Sequence, residues 1–190
     1  MRMTGRLPLV MGLLLAFCGA AGAQMVVHAV SGTVKDINAS AKTMELTVDS
    51  GDTNQFKFPS DAKVSLDFDR TLQSDSTQAS NFNKVGDYVI VYYYGYDNDR
   101  TVVAVKDLGA GPFAKIEGKV ISYDKHDRTM TVKDDAGKTA SFTVSDHVVV
   151  DTGLSVESGK GFDPHKGYYV RVTYAMNGGK NTAVFVRSRE

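Results

Sequence analysis

The four histidines, His28, His126, His147 and His165, are the side chains in this chain best suited to hold a transition metal or to move a proton near neutral pH. No two of them stand at the short spacing by which neighbouring ligands grip one ion, so they define no metal site. Asp97-Asn98-Asp99 begins like a calcium loop, yet the later glycine and glutamate that such a loop needs are missing, and the triplet reads as a plain turn. Gly153 to Gly161, GLSVESGKG, departs from a phosphate-binding loop in spacing and has no Ser or Thr after Lys160. There is no Gly-x-Ser-x-Gly elbow, and Asp36, Asp134 and Asp135 sit in strand ends and turns, where solvated acids are ordinary. The expectation is a protein with no catalytic residue, no metal site and no cofactor.

One stretch remains chemically unusual. YVIVYYYGY, residues 88 to 96, carries five tyrosines in nine positions. Strand side chains alternate between faces, which puts Val89, Val91 and Tyr93 on one side and Tyr88, Ile90, Tyr92 and Tyr94 on the other. A stripe of phenol rings can bury against a partner element or stack on a ligand. The surrounding elements decide which.

Those elements occur twice. At an offset of 86 residues, Gly32 meets Gly118, Val34 meets Val120, Met44 meets Met130, Leu46 meets Val132, Gly51 meets Gly137, Phe56 meets Phe142 and Val64 meets Val150. After a connection five residues longer in the first copy, the match resumes at 81, with Gly86 on Gly167, Tyr88 on Tyr169, Val91 on Val172 and Tyr93 on Tyr174. The chain is a tandem duplication that breaks near Leu108-Gly109-Ala110-Gly111-Pro112, giving units over 26–108 and 113–190. In each, five short runs rich in β-branched and aromatic residues alternate with Gly-, Asn- and Asp-containing turns. The fold expected is all-β: two tandem small five-stranded barrels of the oligonucleotide/oligosaccharide-binding (OB) type. The segment from Asp67 to Lys84 reads as loop with at most a short helical turn.

The second copy also orients the stripe. Val170, Val172 and Tyr174 match the first face and are apolar, whereas Ile90, Tyr92 and Tyr94 become Arg171, Thr173 and Ala175. Arginine and threonine belong on a wet face, so Tyr93 and Tyr174 are expected in the cores and Tyr88, Ile90, Tyr92 and Tyr94 on the outside of the first barrel. There they can pack against the second barrel or the 67–84 loop, pair two copies of the chain, or contact a ligand. The candidate interaction surface is Tyr88, Ile90, Tyr92, Tyr94 and Tyr96.

Residues 1–23 combine two arginines, an apolar run from Leu7 to Phe17 and a small-residue end at Ala21-Gly22-Ala23, the pattern of a secretory signal peptide cut before Gln24. The apolar run is about half the roughly 20 residues of a membrane-spanning helix, and no later stretch approaches that length. The single cysteine, Cys18, lies inside this segment, so the mature chain would have no disulfide and no thiolate ligand. Removing Arg2 and Arg6 from 22 basic residues leaves 20 against 22 acidic, a balance that gives no electrostatic case for nucleic acid. Location in the periplasm or outside the cell is expected, with Asn38-Ala39-Ser40 a glycosylation sequon if the host uses one.

The segments GTVKDINASAKTMELTVDSGDTNQFKF and NKVGDYVIVYYYGYDNDRTVVAVKDL, with their counterparts GKVISYDKHDRTMTVKDDAGKTASFTV and HKGYYVRVTYAMNGGKNTAVFVRS, resemble secreted bacterial OB-like β-barrel domains of unknown function. That resemblance implies fold and compartment and no catalytic residue. The layout is more distantly similar to the periplasmic copper-chaperone barrel, whose metal is held by a histidine, a tryptophan and a Met-x-Met pair. This chain has no tryptophan, no Met-x-Met after residue 23, and places Met44 and Met130 at matching strand positions, as core filler. The function expected is an exported, non-enzymatic binding or interaction module for a protein, peptide or glycan, or a self-associating one; a periplasmic metal carrier and an extracytoplasmic hydrolase are the alternatives.

Overall fold

A computed structural model of the chain describes residues 26–59 and 69–188. The expected signal peptide, Cys18 and Val64 lie outside these residues.

Two antiparallel-rich sheets follow one another along the chain, and each is closed. The first is built on β1 (His28–Asn38), β2 (Thr43–Val48), β3 (Thr53–Lys57), β5 (Tyr88–Tyr94) and β6 (Thr101–Asp107), ordered β3-β2-β1-β5-β6, with β3 pairing parallel to β6 to seal the barrel. The second repeats the order with β7 (Ala114–Asp124), β8 (Thr129–Lys133), β9 (Thr139–Thr143), β12 (Tyr169–Asn177) and β13 (Lys180–Ser188), and β13 closes onto β9. The fold is therefore all-β, with a five-stranded OB-like barrel in each copy.

The aligned residues have structural duties. A side chain at Gly32 would strike the carbonyl oxygen of Thr47, and one at Gly118 would strike that of Lys133, so both glycines admit a crossing strand. Bulges fall at matching places too: between Val34 and Asp36 in β1 and between Val120 and Ser122 in β7, then opposite Tyr92/Tyr93 and opposite Thr173/Tyr174. Such bulges bend the strands so that a small sheet can close. Met44, Leu46, Phe56, Val89 and Val91 fill the first core, with Tyr93 packed against it; Met130, Val132, Phe142, Val170 and Val172 fill the second, with Tyr174 against it. Phe56 meets Tyr93 edge-on at 5.3 Å, and Phe142 meets Tyr174 at 4.8 Å. Both tyrosines expected inside are there.

The sheets hold more than five strands each, and the additions occupy one equivalent slot. In the first copy β4 (Thr77–Gln78) pairs antiparallel with β6 at Ala104 and Val105. In the second, β10 (Val149–Asp151) pairs parallel with β13 at Phe185 to Arg187 and carries β11 (Val156–Ser158) at its edge. The exposed edge of the last barrel strand is thus covered in both copies. Within the described part of the 67–84 loop, α1 (Arg70–Ser74) is a short helix whose N-cap, Asp69, accepts from the amides of Thr71 and Leu72, and Ala79–Asn81 adds a 3-10 turn beyond the single helical turn expected. Gly159, part of the glycine-rich stretch, packs where a side chain would strike Ser145 and Val148, which gives that glycine a packing role.

Candidate functional site: the junction of the barrels

A third apolar cluster lies between the barrels. Val27, Ala29, Leu72, Ile90, Tyr92 and Ala104 from the first copy meet Val149, Val156 and Phe185 from the second. Tyr92 and Ile90 are fully buried, and Tyr88 is 7% exposed. Tyr94 is half-buried and Tyr96 is 73% exposed. The five-residue surface read from the sequence is therefore split: Tyr88, Ile90 and Tyr92 point out of their own barrel but into the neighbouring one, and only Tyr94 and Tyr96 reach solvent.

Polar groups fix how the barrels meet. Asp49, whose side chain is 6% exposed, accepts from Ser31 Oγ at 2.6 Å, from Tyr88 Oη at 2.7 Å and from Thr173 Oγ1 at 2.9 Å, and Lys115 Nζ stands 2.6 Å away. Ser31, Asp49 and Tyr88 belong to the first copy, Lys115 and Thr173 to the second. The expectation that Thr173 faces water is corrected here: it is fully buried, because a hydroxyl that finds a carboxylate loses nothing by leaving solvent. Tyr88 also stacks on Phe113 at 4.7 Å and lies under Lys115 Nζ at 5.7 Å. Burial pushes its phenol well above the ordinary value, with the Asp49 charge adding to that rise, so Tyr88 donates its proton across the working range.

Further polar contacts lock the other side. Asp69 Oδ2 accepts from the Ser158 amide at 3.1 Å. Asp75 Oδ2 holds Lys106 Nζ at 3.2 Å and His147 Nδ1 at 2.7 Å, and Lys106 Nζ donates to the His147 carbonyl at 2.7 Å. Burial alone would raise the Asp75 carboxyl; the hydrogen bonds from His147 and Lys106 outweigh it and hold the group below its ordinary value. Burial beside Asp69 moves Glu157 in the opposite direction, upward. Asp151, fully buried, accepts from the Ala29 amide across the junction at 3.1 Å and from the Gly153 amide at 2.8 Å.

Beside this locked region a cleft of about 140 Å³ opens, lined by Ser31, Asp49, Ser50, Asn54, Tyr93 and Arg100 of the first barrel and Arg171, Phe185 and Arg187 of the second. His28 adjoins it, 5.7 Å from the Tyr93 ring and 5.8 Å from Tyr96. Aromatic edges, hydroxyls, an amide and guanidinium groups thus converge from both copies. A second, larger hollow of about 580 Å³ runs along the connection between the barrels, lined mostly by apolar groups that include Leu108, Pro112, Phe113, Met176 and Val184.

The other sequence candidates stay apart. His126 pairs with its neighbour Asp127, and His147 with Asp75. Asp97–Asp99 forms a one-turn 3-10 helix whose last residue is bridged to Lys57. Among the described residues, no three His, Cys, Asp or Glu side chains converge as a metal site, and no helix is long and apolar enough to cross a membrane. Sequence reasoning missed Asp49 and the three arginines. Asp49 aligns with the exposed Asp135, so its burial left no mark in the repeat, and the arginines meet only once the barrels dock.

The fold and junction define a class, an all-β protein of two fused OB-like barrels with a polar cleft at their seam. No family model and no curated protein matches the chain.

Proposed function

We propose that this is an exported, non-enzymatic binding module whose contact surface is the seam cleft and its aromatic rim. The observation that carries the reading is that one cleft is lined from both copies by side chains suited to recognition, while the apolar part of the tyrosine stripe is used up in holding the copies together. Barrels of this type bind extended ligands across an outer face by stacking rings and donating hydrogen bonds. Here Tyr96 and His28 offer the rings, and Ser50 and Asn54 offer hydroxyl and amide groups. A glycan or peptide laid across the rim fits those groups. Export rests on the residue pattern of 1–23, and kinship with secreted bacterial barrel domains of unknown function rests on the strand and turn motifs quoted above.

Screening the purified chain against immobilised glycans and peptides tests the reading. The expected result is retention of at least one ligand class, weakened about tenfold by Tyr96→Ala, in keeping with the ~1–3 kcal/mol that one stacked ring contributes. Lys125→Ala, which lines neither cavity, should leave retention unchanged. Ligands that bind Tyr96→Ala and wild type equally would move the contact surface elsewhere.

A further inference from the structure

We infer that the seam cleft is an anion-binding subsite, built to take the oxyanion group of an acidic ligand between Arg100, Arg171 and Arg187. This rests on the binding-module reading and names the chemistry of its ligand.

Three guanidiniums from separate elements line one cleft: Arg100 follows the Asp97–Asp99 turn, Arg171 lies on β12 and Arg187 on β13. Like charges brought together cost energy unless something compensates them. Arg171 is compensated by Glu117, whose Oε2 takes Nε at 2.9 Å and Nη2 at 2.7 Å. Arg187 is loosely paired, with Nε 4.0 Å from the buried Asp151 carboxylate, which the neutral Ala29 and Gly153 amides hydrogen-bond without cancelling its charge. Arg100 forms no ion pair among the described residues. The one acid that lines the cleft, Asp49, is balanced by Lys115 and saturated with hydroxyl donors. The positive charge without an ion-pair partner among the described residues is therefore that of Arg100, in a cleft it lines together with the loosely paired Arg187.

The Tyr93 phenol reports the same arrangement. Burial raises it, Arg187 and Arg100 pull it back down, and Asp151 adds to the rise, in a cleft that Tyr93 lines together with both guanidiniums. A guanidinium carries five N–H donors in a planar fork that matches a carboxylate, sulfate or phosphate, and the pairs described above do not use up those forks. The volume sets the scale. About 140 Å³ holds one such group with a few waters, at roughly 30 Å³ per water, and not a whole sugar chain. The remainder of a ligand would lie over His28 and Tyr96.

The alignment of the copies shows where the three arginines come from. Arg171 and Arg187 are direct cross-strand partners in the second barrel, and Arg100 joins them from the first; Arg100 aligns with Asn181 and Arg171 with Ile90, while Arg187 aligns with Lys106. A lone second barrel would keep the Arg171–Arg187 pair and lack Arg100, and a lone first barrel would keep Arg100 alone.

Titration followed by NMR at the arginine Nε–H groups, at low ionic strength, tests the inference with four probes: sulfate, phosphate, glucuronate and neutral glucose. The oxyanions should move the Arg100 and Arg187 signals saturably, and glucose should not. A larger response to glucuronate marks a sugar acid as the source; a larger response to sulfate or phosphate marks the free or esterified ion. Arg100→Gln should weaken binding about tenfold, and Arg100→Lys less, since it keeps charge but loses the fork. Arg100 is chosen because no ion pair of the described fold depends on it. No saturable movement up to about 10 mM, a millimolar-scale limit of weak specific binding, overturns the inference, as does equal binding by Arg100→Gln. If immobilised ligands bind through Tyr96 while the oxyanions leave the arginines unmoved, the subsite fails and the module stands. If the oxyanions bind at Arg100 while Tyr96→Ala changes nothing, the subsite stands and the aromatic rim fails.

Discussion

The strand Tyr88–Tyr94 and the first half of its counterpart, Tyr169–Asn177, play the same part inside their barrels and opposite parts outside them. Inward, Val89, Val91 and Tyr93 match Val170, Val172 and Tyr174, and both sets line cores. Outward, Ile90 and Tyr92 face Arg171 and Thr173 in the alignment, an apolar pair against a charged and a hydroxylic residue. Yet both outward sets end up in the same junction. The apolar pair joins the third cluster, Thr173 caps Asp49, and Arg171 borders the cleft. At this strand pair the first copy contributes apolar side chains to the seam and the second contributes polar ones, although the seam as a whole draws both kinds from both copies. A small barrel buries too little of its own surface to be comfortably stable, so the seam adds stability and, where it ends, leaves a cleft lined from both copies.

The sharpest way to break this comparison is at its centre. Tyr92→Ala should destabilise the chain by about 3–5 kcal/mol, the cost of emptying a fully buried aromatic position. Thr173→Ala, at the aligned position, removes only one hydroxyl donor and should cost about 1 kcal/mol. Guanidinium unfolding followed by circular dichroism reads both. Equal losses at the two positions would mean that the copies contribute alike to the seam.

Next in size comes the carboxylate that ties them. Asp49→Ala leaves Tyr88, Thr173 and Lys115 without their common acceptor and should cost about 2–3 kcal/mol, while Asp135→Ala, its exposed counterpart, should cost little. This pair also shows what the sequence conveys. Both aspartates follow a strand by one or two residues and precede a turn, and nothing local separates them. Alternation and the repeat made the strands, the closed barrels and the direction of Tyr88, Ile90 and Tyr92 legible, because those depend on local periodicity. Burial of Thr173 and Asp49 depends on docking between residues 124 apart, which no local pattern encodes. The extra strands β4, β10 and β11 escaped because each is only two or three residues long, too short for a periodicity, and β4 and β10 take their partners from the edges of distant strands.

A smaller effect separates the copies by pH. The Asp75 contact comes from the longer connection of the first copy, and its lowered carboxyl pKa fixes the sign. A depressed carboxyl binds its proton less readily when folded, so its contribution is present above the unfolded value near 3.8 and disappears as pH falls through the still lower folded value. Wild type should lose stability over that acidic range more steeply than Asp75→Asn. The difference should be about 1 kcal/mol or less, since the pair is partly solvated. Melting temperatures collected from neutral pH down to about pH 3 would show the two curves converging, because only the wild type has this carboxylate left to protonate. Parallel curves would mean that Asp75 adds nothing to the lock.

The smallest expected change in stability divides the tyrosine stripe itself. Tyr96 is 73% exposed, four residues beyond a tyrosine that is fully buried. Its ring leans toward His28 at 5.8 Å and supports no core cluster, so Tyr96→Ala should shift unfolding by no more than about 0.5 kcal/mol. A residue that costs so little to remove is free to be spent on recognition, whereas Tyr92 is committed to the seam. The ratio of the two losses therefore measures where adhesion ends and the open rim begins. A Tyr96→Ala loss approaching that of Tyr92→Ala would extend the seam to the ring that leans on His28; a negligible loss leaves that ring outside the seam and open to solvent.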